Sequence, residues 1–175
     1  MKMKAKLAAL LFSLVLATAA RAEFTVTLSH VHICCSSCVK GVNRAVGSLS
    51  DVTVKPDSDA GTVMITAPDK ATAQRVVDAL VNAGFFGVSS DRTIKVDPAS
   101  GAADGWVEKL TVDGVHICCQ DCVDAVTDAL AKVPGVKANT ARKSSSMFEV
   151  TGNFNAKDIF SALHEAGLSG KAGKN

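Results

Sequence analysis

Six cysteines, three at each of two places, are the residues most able to do chemistry in this chain. His32-Ile33-Cys34-Cys35-Ser36-Ser37-Cys38 and His116-Ile117-Cys118-Cys119-Gln120-Asp121-Cys122 share the form His-x-Cys-Cys-x-x-Cys. Cys35 with Cys38, and Cys119 with Cys122, stand three apart, so at the first turn of a helix both sulfurs of a pair reach one side, where unpaired amides favour thiolate over thiol. Thiolates bind soft metals; two satisfy Cu(I), whereas a structural zinc normally takes four ligands. The same pairs also suit redox exchange or, in an oxidising compartment, a resting disulfide. Cys34 and Cys118 add a third sulfur to each loop, able to complete a three-coordinate site or to divert one partner into a disulfide. His32 lies two residues before Cys34, so on an extended segment both project to one face. His116 repeats that placement, and both histidines are read either as extra ligands or as polar residues at a strand end. His30 and His164 lack a histidine counterpart and are read as surface residues, and Met64 and Met147 as packing or exposed residues.

The elements that must position these loops come twice. Val31 to Val39 returns as Val115 to Val123 with seven of nine positions identical, at an offset of 84, the mark of a duplicated domain. In each copy an alternating stretch, Phe24, Val26 and Leu28 or, less regularly, Val107, Leu110 and Val112, predicts a strand running into the cysteines. A helix follows, with one buried stripe through Val39, Val42, Val46 and Leu49 or through Val123, Val126, Leu130 and Val133. Val52 and Val54 with Val63 and Ile65, and Val136 with Phe148 and Val150, predict a hairpin. A second helix spans about 70–83 or 156–166 and stops at Gly84 or Gly167, residues suited to a left-handed cap. A last strand follows each, short in the second copy. The expected fold class is therefore α+β: two tandem ferredoxin-like βαββαβ domains, each an antiparallel sheet with two helices on one face. The expected organisation is a first domain over 23–97, a flexible linker over 98–105 and a second domain over 106–175.

A cysteine pair at the strand-to-helix junction of this unit, repeated at matching positions, resembles the heavy-metal-associated (HMA) domain family, whose loop reads Gly-Met-x-Cys-x-x-Cys. The resemblance covers both halves of the chain after residue 22 and extends to copper chaperones and to the periplasmic mercury-binding protein. It implies Cys35 with Cys38 and Cys119 with Cys122 as metal ligands; the preference among metals does not carry over from the family, and the two-thiolate pairs themselves point to a soft ion, Cu(I) first, with zinc or mercury as alternatives. His32 and His116 replace the family's Gly, Ile33 and Ile117 its Met, and Cys34 and Cys118 occupy its variable position. The family geometry implies that Cys34 and Cys118 are secondary to the pairs, and one independent site is expected per copy, the rival being a cluster shared by two loops that face each other.

Composition narrows the remaining functions. With 47% apolar and 21% charged residues, the chain is not disordered. No Tyr, one Trp and a net charge of +2 leave little for a nucleic-acid surface. Lys2, Lys4 and Lys6 before the uncharged run Leu7–Ala20, then Ala20-Arg21-Ala22, have the shape of a signal peptide over 1–22. Its removal takes four of the 19 basic residues and no acid, leaving a chain near −2. The expectation is a periplasmic or secreted protein without stable membrane insertion, exchanging metal with a donor or acceptor protein. Without a Ser-His-Asp arrangement, phosphate loop or HExxH motif the chain is read as a binding protein, not an enzyme. The alternatives are a thiol–disulfide redox protein and a metal-free interaction module with structural disulfides.

Overall fold

The computed structural model describes residues 23–173; the expected signal peptide lies outside them. The first copy runs β1 (Phe24–Ser29), α1 (Ser36–Val46), β2 (Thr53–Asp57), β3 (Thr62–Ala67), α2 (Lys70–Asn82) and β4 (Val88–Ser89). The second runs β5 (Trp106–Asp113), α3 (Gln120–Ala131), β6 (Val136–Asn139), β7 (Phe148–Asn155), α4 (Ala156–Glu165) and β8 (Lys171–Ala172). The sheets are antiparallel, in the orders β2-β3-β1-β4 and β6-β7-β5-β8. Both are the βαββαβ arrangement expected, an α+β fold of two ferredoxin-like units.

Period-two burial decides which sheet face takes the helices. Val26 and Leu28 on β1 and Val63, Ile65 and Ala67 on β3 are buried, and the residues between them are not. Onto that face α1 sets Cys38, Val42 and Val46, and α2 sets Val76, Val77, Leu80 and Val81. The second copy repeats this with Cys122, Val126 and Leu130 on α3 and Ile159, Phe160 and Leu163 on α4. The weaker alternation of β5 has a local cause: its register against β7 shifts between Val107 and Lys109, a bulge that turns the side chains between them out of phase.

Both second helices begin on a side-chain cap. Asp69 accepts from the Thr72 amide at 2.7 Å, and Asn155 from the Lys157 amide at 2.9 Å. Both end where expected, at Gly84 (φ 92°) and Gly167 (φ 76°), with Phe85 N–H and Leu168 N–H closing back onto Leu80 and Leu163. The two closing strands are only two residues each.

The linker is not the free tether the sequence suggested. Ala172 N–H donates to Ser100 O at 2.7 Å, Ala156 N–H donates to Gly105 O at 3.0 Å, and Asn155 donates to the Asp104 carboxylate. Each copy also meets the other directly, through a contact with near two-fold symmetry. Phe86 N–H donates to Gly167 O at 3.1 Å, Ser169 N–H donates to Gly84 O at 2.9 Å, and Phe85 pairs with Leu168 as an antiparallel bridge. No helix among the described residues is long and apolar enough to cross a membrane.

Candidate metal centre

The contact between copies is built on the segments that follow the second helices, and it fixes where the cysteine loops lie. A Cβ on Gly84 would stand 2.3 Å from His116 N, and one on Gly167 would stand 2.5 Å from His32 N. Each cap glycine thus takes the backbone of the other copy's loop at a distance no side chain permits, and His32 N–H donates to Gly167 O at 3.2 Å. The Phe85 ring stacks on His116, centroids 4.5 Å apart, beside Gly41 on α1, where a Cβ would press on both rings. Sequence reasoning assigned Gly84 and Gly167 to capping alone and passed over Phe85 and Gly41. The signal available was the pair Phe85-Phe86 directly after a cap glycine, where the second copy has Leu168-Ser169.

These contacts bring the two loops face to face. Cys34 Sγ lies 3.3 Å from Cys119 Sγ and 3.5 Å from Cys122 Sγ. Cys118 Sγ lies 3.4 Å from Cys38 Sγ and 3.7 Å from Cys35 Sγ. Within the loops, Cys35 to Cys38 is 3.8 Å and Cys119 to Cys122 is 3.5 Å. The expectation of one independent site per copy is corrected: all six sulfurs meet in one place, because the cap glycines dock the loops on each other. Cys34 and Cys118, expected to be secondary, make the shortest crossings between copies. Each directly precedes its helix N-cap, Cys35 or Cys119, and its sulfur faces the opposing loop.

All six cysteines are free thiols, Cys38 and Cys122 buried and the other four half-buried. Two sulfurs each about 2.3 Å from one ion stand at most about 4.6 Å apart, so separations of 3.3 to 3.8 Å between these thiols fit ligands closing on common soft ions. A ring nitrogen of His32 lies within 4.8 Å of the Cys34 and Cys122 sulfurs. His116 joins no such group; stacked on Phe85, it faces the junction. His30 is exposed as expected. His164, expected at the surface, is half-buried: its ring stacks on Phe86 at 4.4 Å and its Nε2 is covered. Met64 is half-buried on β3 and Met147 is exposed, both as expected.

The thiols are electrostatically unequal. The amides of Cys38 and Ser37 at the start of α1 draw Cys35 down to about 7, overcoming the opposing effect of burial. At the matching position burial outweighs the Cys122 amide, and Cys119 rises. Burial lifts Cys118 to about 12 and Cys34 also well above the ordinary thiol range. Cys122 rises because it faces the Cys38 sulfur and is buried as well. Burial, with His32 and Arg44 nearby, lowers His116 and favours its neutral form. A lowered thiol value means that thiolate appears at lower pH. In the reduced, metal-free protein, iodoacetamide is therefore expected to modify Cys35 first, with a rate rising through pH 7, while Cys34 and Cys118 stay protonated and slow. Peptide mapping after brief labelling at pH 7.5 checks this order; preferential labelling of Cys34 or Cys118 would contradict it.

No known family's model matches the chain. Among solved structures, the copper(I)-loaded first domain of the human copper chaperone for SOD1 is 26% identical, over 37% of this chain and 90% of that one, with a TM-score of 0.34. The apo HMA domain of a copper chaperone for superoxide dismutase is 25% identical, over 50% of this chain and 86% of that one, with a TM-score of 0.35. The N-terminal soluble domains of Bacillus subtilis CopA are 13% identical, over 87% and 95%, with a TM-score of 0.32. At TM-scores this low, the class rests on the chain's own topology and sulfur positions: an α+β protein of two ferredoxin-like units with a single six-thiol centre where they meet.

Proposed function

We propose that this is an exported soft-metal-binding protein, with Cu(I) as its first cargo, which captures the ion or hands it on through thiolates of both loops. One observation carries the reading: six free sulfurs, three from each copy, converge at distances suited to shared ions. Packing alone gives no reason to gather six thiols at a half-open junction, and Cu(I) prefers a few soft ligands of this kind. Export to the periplasm or beyond follows from the charged, apolar and small-residue order of residues 1–22. The protein acts by binding and release, without catalysis, and a donor or acceptor protein completes the transfer.

Metal content and free thiols measured on one anaerobically purified sample of the full chain test this. Bound copper is expected in the wild type and none in a variant with all six cysteines replaced by serine. Equal uptake by the two would overturn the reading. Brisk insulin reduction by a metal-free sample would instead support the redox alternative, which the lowered value of Cys35 favours.

A further inference from the structure

The arrangement of the six sulfurs goes beyond their closeness. Cys34 faces Cys38, Cys119 and Cys122 at 3.3 to 3.6 Å, and lies within 4.8 Å of Cys35. Cys38 faces Cys34, Cys35, Cys118 and Cys122 at 3.4 to 3.8 Å. The others follow suit, so each sulfur faces four others and is left without contact to one. The pairs left without contact are Cys34 with Cys118, Cys35 with Cys122, and Cys38 with Cys119. Those relations are the corners of an octahedron.

From this geometry, and resting on the soft-metal reading above, we infer that the six thiolates form a cage for a four-copper cluster, each Cu(I) on a triangular sulfur face and each sulfur bridging two ions. Three such faces, Cys34-Cys35-Cys119, Cys35-Cys38-Cys118 and Cys118-Cys119-Cys122, each hold their sulfurs within 4.8 Å of one another. The fourth, Cys34-Cys38-Cys122, is closed by contacts of 3.6, 3.5 and 3.8 Å. Any two of these faces share one sulfur, and every sulfur belongs to two faces. Three-coordinate ions on all four therefore use each thiolate twice.

The same geometry disfavours zinc. Any four corners of an octahedron include a pair that does not touch, so no four of these sulfurs surround a tetrahedral ion as they stand. Three-coordinate Cu(I) needs no rearrangement. The binding reaction takes four Cu(I) and six thiols to a cluster of charge −2 and six protons released to buffer, with no change of oxidation state. One group able to donate to the cluster adjoins the cage: the Nε2 of His32 is buried without a hydrogen-bond partner, and a His32 ring nitrogen lies within 4.8 Å of the Cys34 and Cys122 sulfurs.

Native mass spectrometry of the reduced full chain during anaerobic addition of Cu(I), supplied as its acetonitrile complex, tests the inference. Metal-free and four-copper forms are expected to dominate at half loading. The double variant Cys34→Ser with Cys118→Ser is the sharper arm, because that non-touching pair includes a corner of every face. It leaves both CxxC pairs in place, so capacity should fall by half, from about four to about two Cu(I). Stepwise filling of the wild type to one or two Cu(I), or a double variant that still takes four, would overturn the cluster while leaving soft-metal binding intact. Failure of the wild type to bind any Cu(I) would overturn both readings.

Discussion

Replacing Cys34, Cys35 and Cys38 together with serine is expected to lower Cu(I) capacity from about four to at most about one, not to half. Of the four faces that can hold an ion, only Cys118-Cys119-Cys122 draws all its sulfurs from the second loop. The other three mix the loops and vanish with the first. Two independent sites would behave differently, since the untouched loop would keep its full share and capacity would fall by one half. Copper bound per chain after desalting, measured on the wild type and the variant side by side, separates the two outcomes. Circular dichroism confirms that the variant remains folded, as expected, because Cys38 alone of the three is fully buried and serine is close to cysteine in size.

Phe85→Ala is expected to be the most damaging single change outside the sulfurs. The ring is 2% exposed, stacks on His116 at 4.5 Å and fills the space over Gly41, while its backbone bridges to Leu168. Truncating a buried Phe costs about 3 to 5 kcal/mol through lost transfer energy and the cavity left behind. For a chain of this size that corresponds to a fall in Tm of roughly 10 °C. The ring also supports the histidine that heads the second loop, so the variant should lose cooperative Cu(I) uptake even at temperatures where it is folded. Thermal unfolding and a Cu(I) titration on the same sample check both effects. An unchanged Tm with wild-type uptake would contradict the role given to the junction.

What the sequence disclosed follows from what its patterns encode. The strand and helix spacing of each copy reports which face is buried within that copy, and β1, α1, α2 and their counterparts lie where alternation and stripe placed them, except that α1 and α3 bury Cys38 and Cys122 more fully than Val39 and Val123 and end before Leu49 and Val133. The cap glycines were legible because a helix end needs a left-handed residue. Their second role was not, because nothing in the order Ala83-Gly84-Phe85 states which backbone will come within 2.3 Å of the missing Cβ. The docking of the copies depends on backbone hydrogen bonds of Gly84, Phe86, Gly167 and Ser169, which have no residue-type signature. Cys34 and Cys118 were undervalued for the same reason. Their importance comes from facing the opposite loop, and a comparison confined to one loop has no partner to offer them. The linker's small residues suggested freedom, yet the hydrogen bonds that hold Ser100 and Gly105 use backbone carbonyls any residue possesses.

The central claim is that the two loops share one centre, and contacts between protons in solution test it without any metal. Nuclear Overhauser effects recorded on the reduced, metal-free full chain report pairs of protons only when they are close. The account predicts cross-copy effects between the β-protons of Cys34 and Cys119, whose sulfurs are 3.3 Å apart, and between the rings of Phe85 and His116, whose centroids are 4.5 Å apart. Intact effects within each copy, with none between them, would show two units that keep their loops apart and would contradict the shared centre.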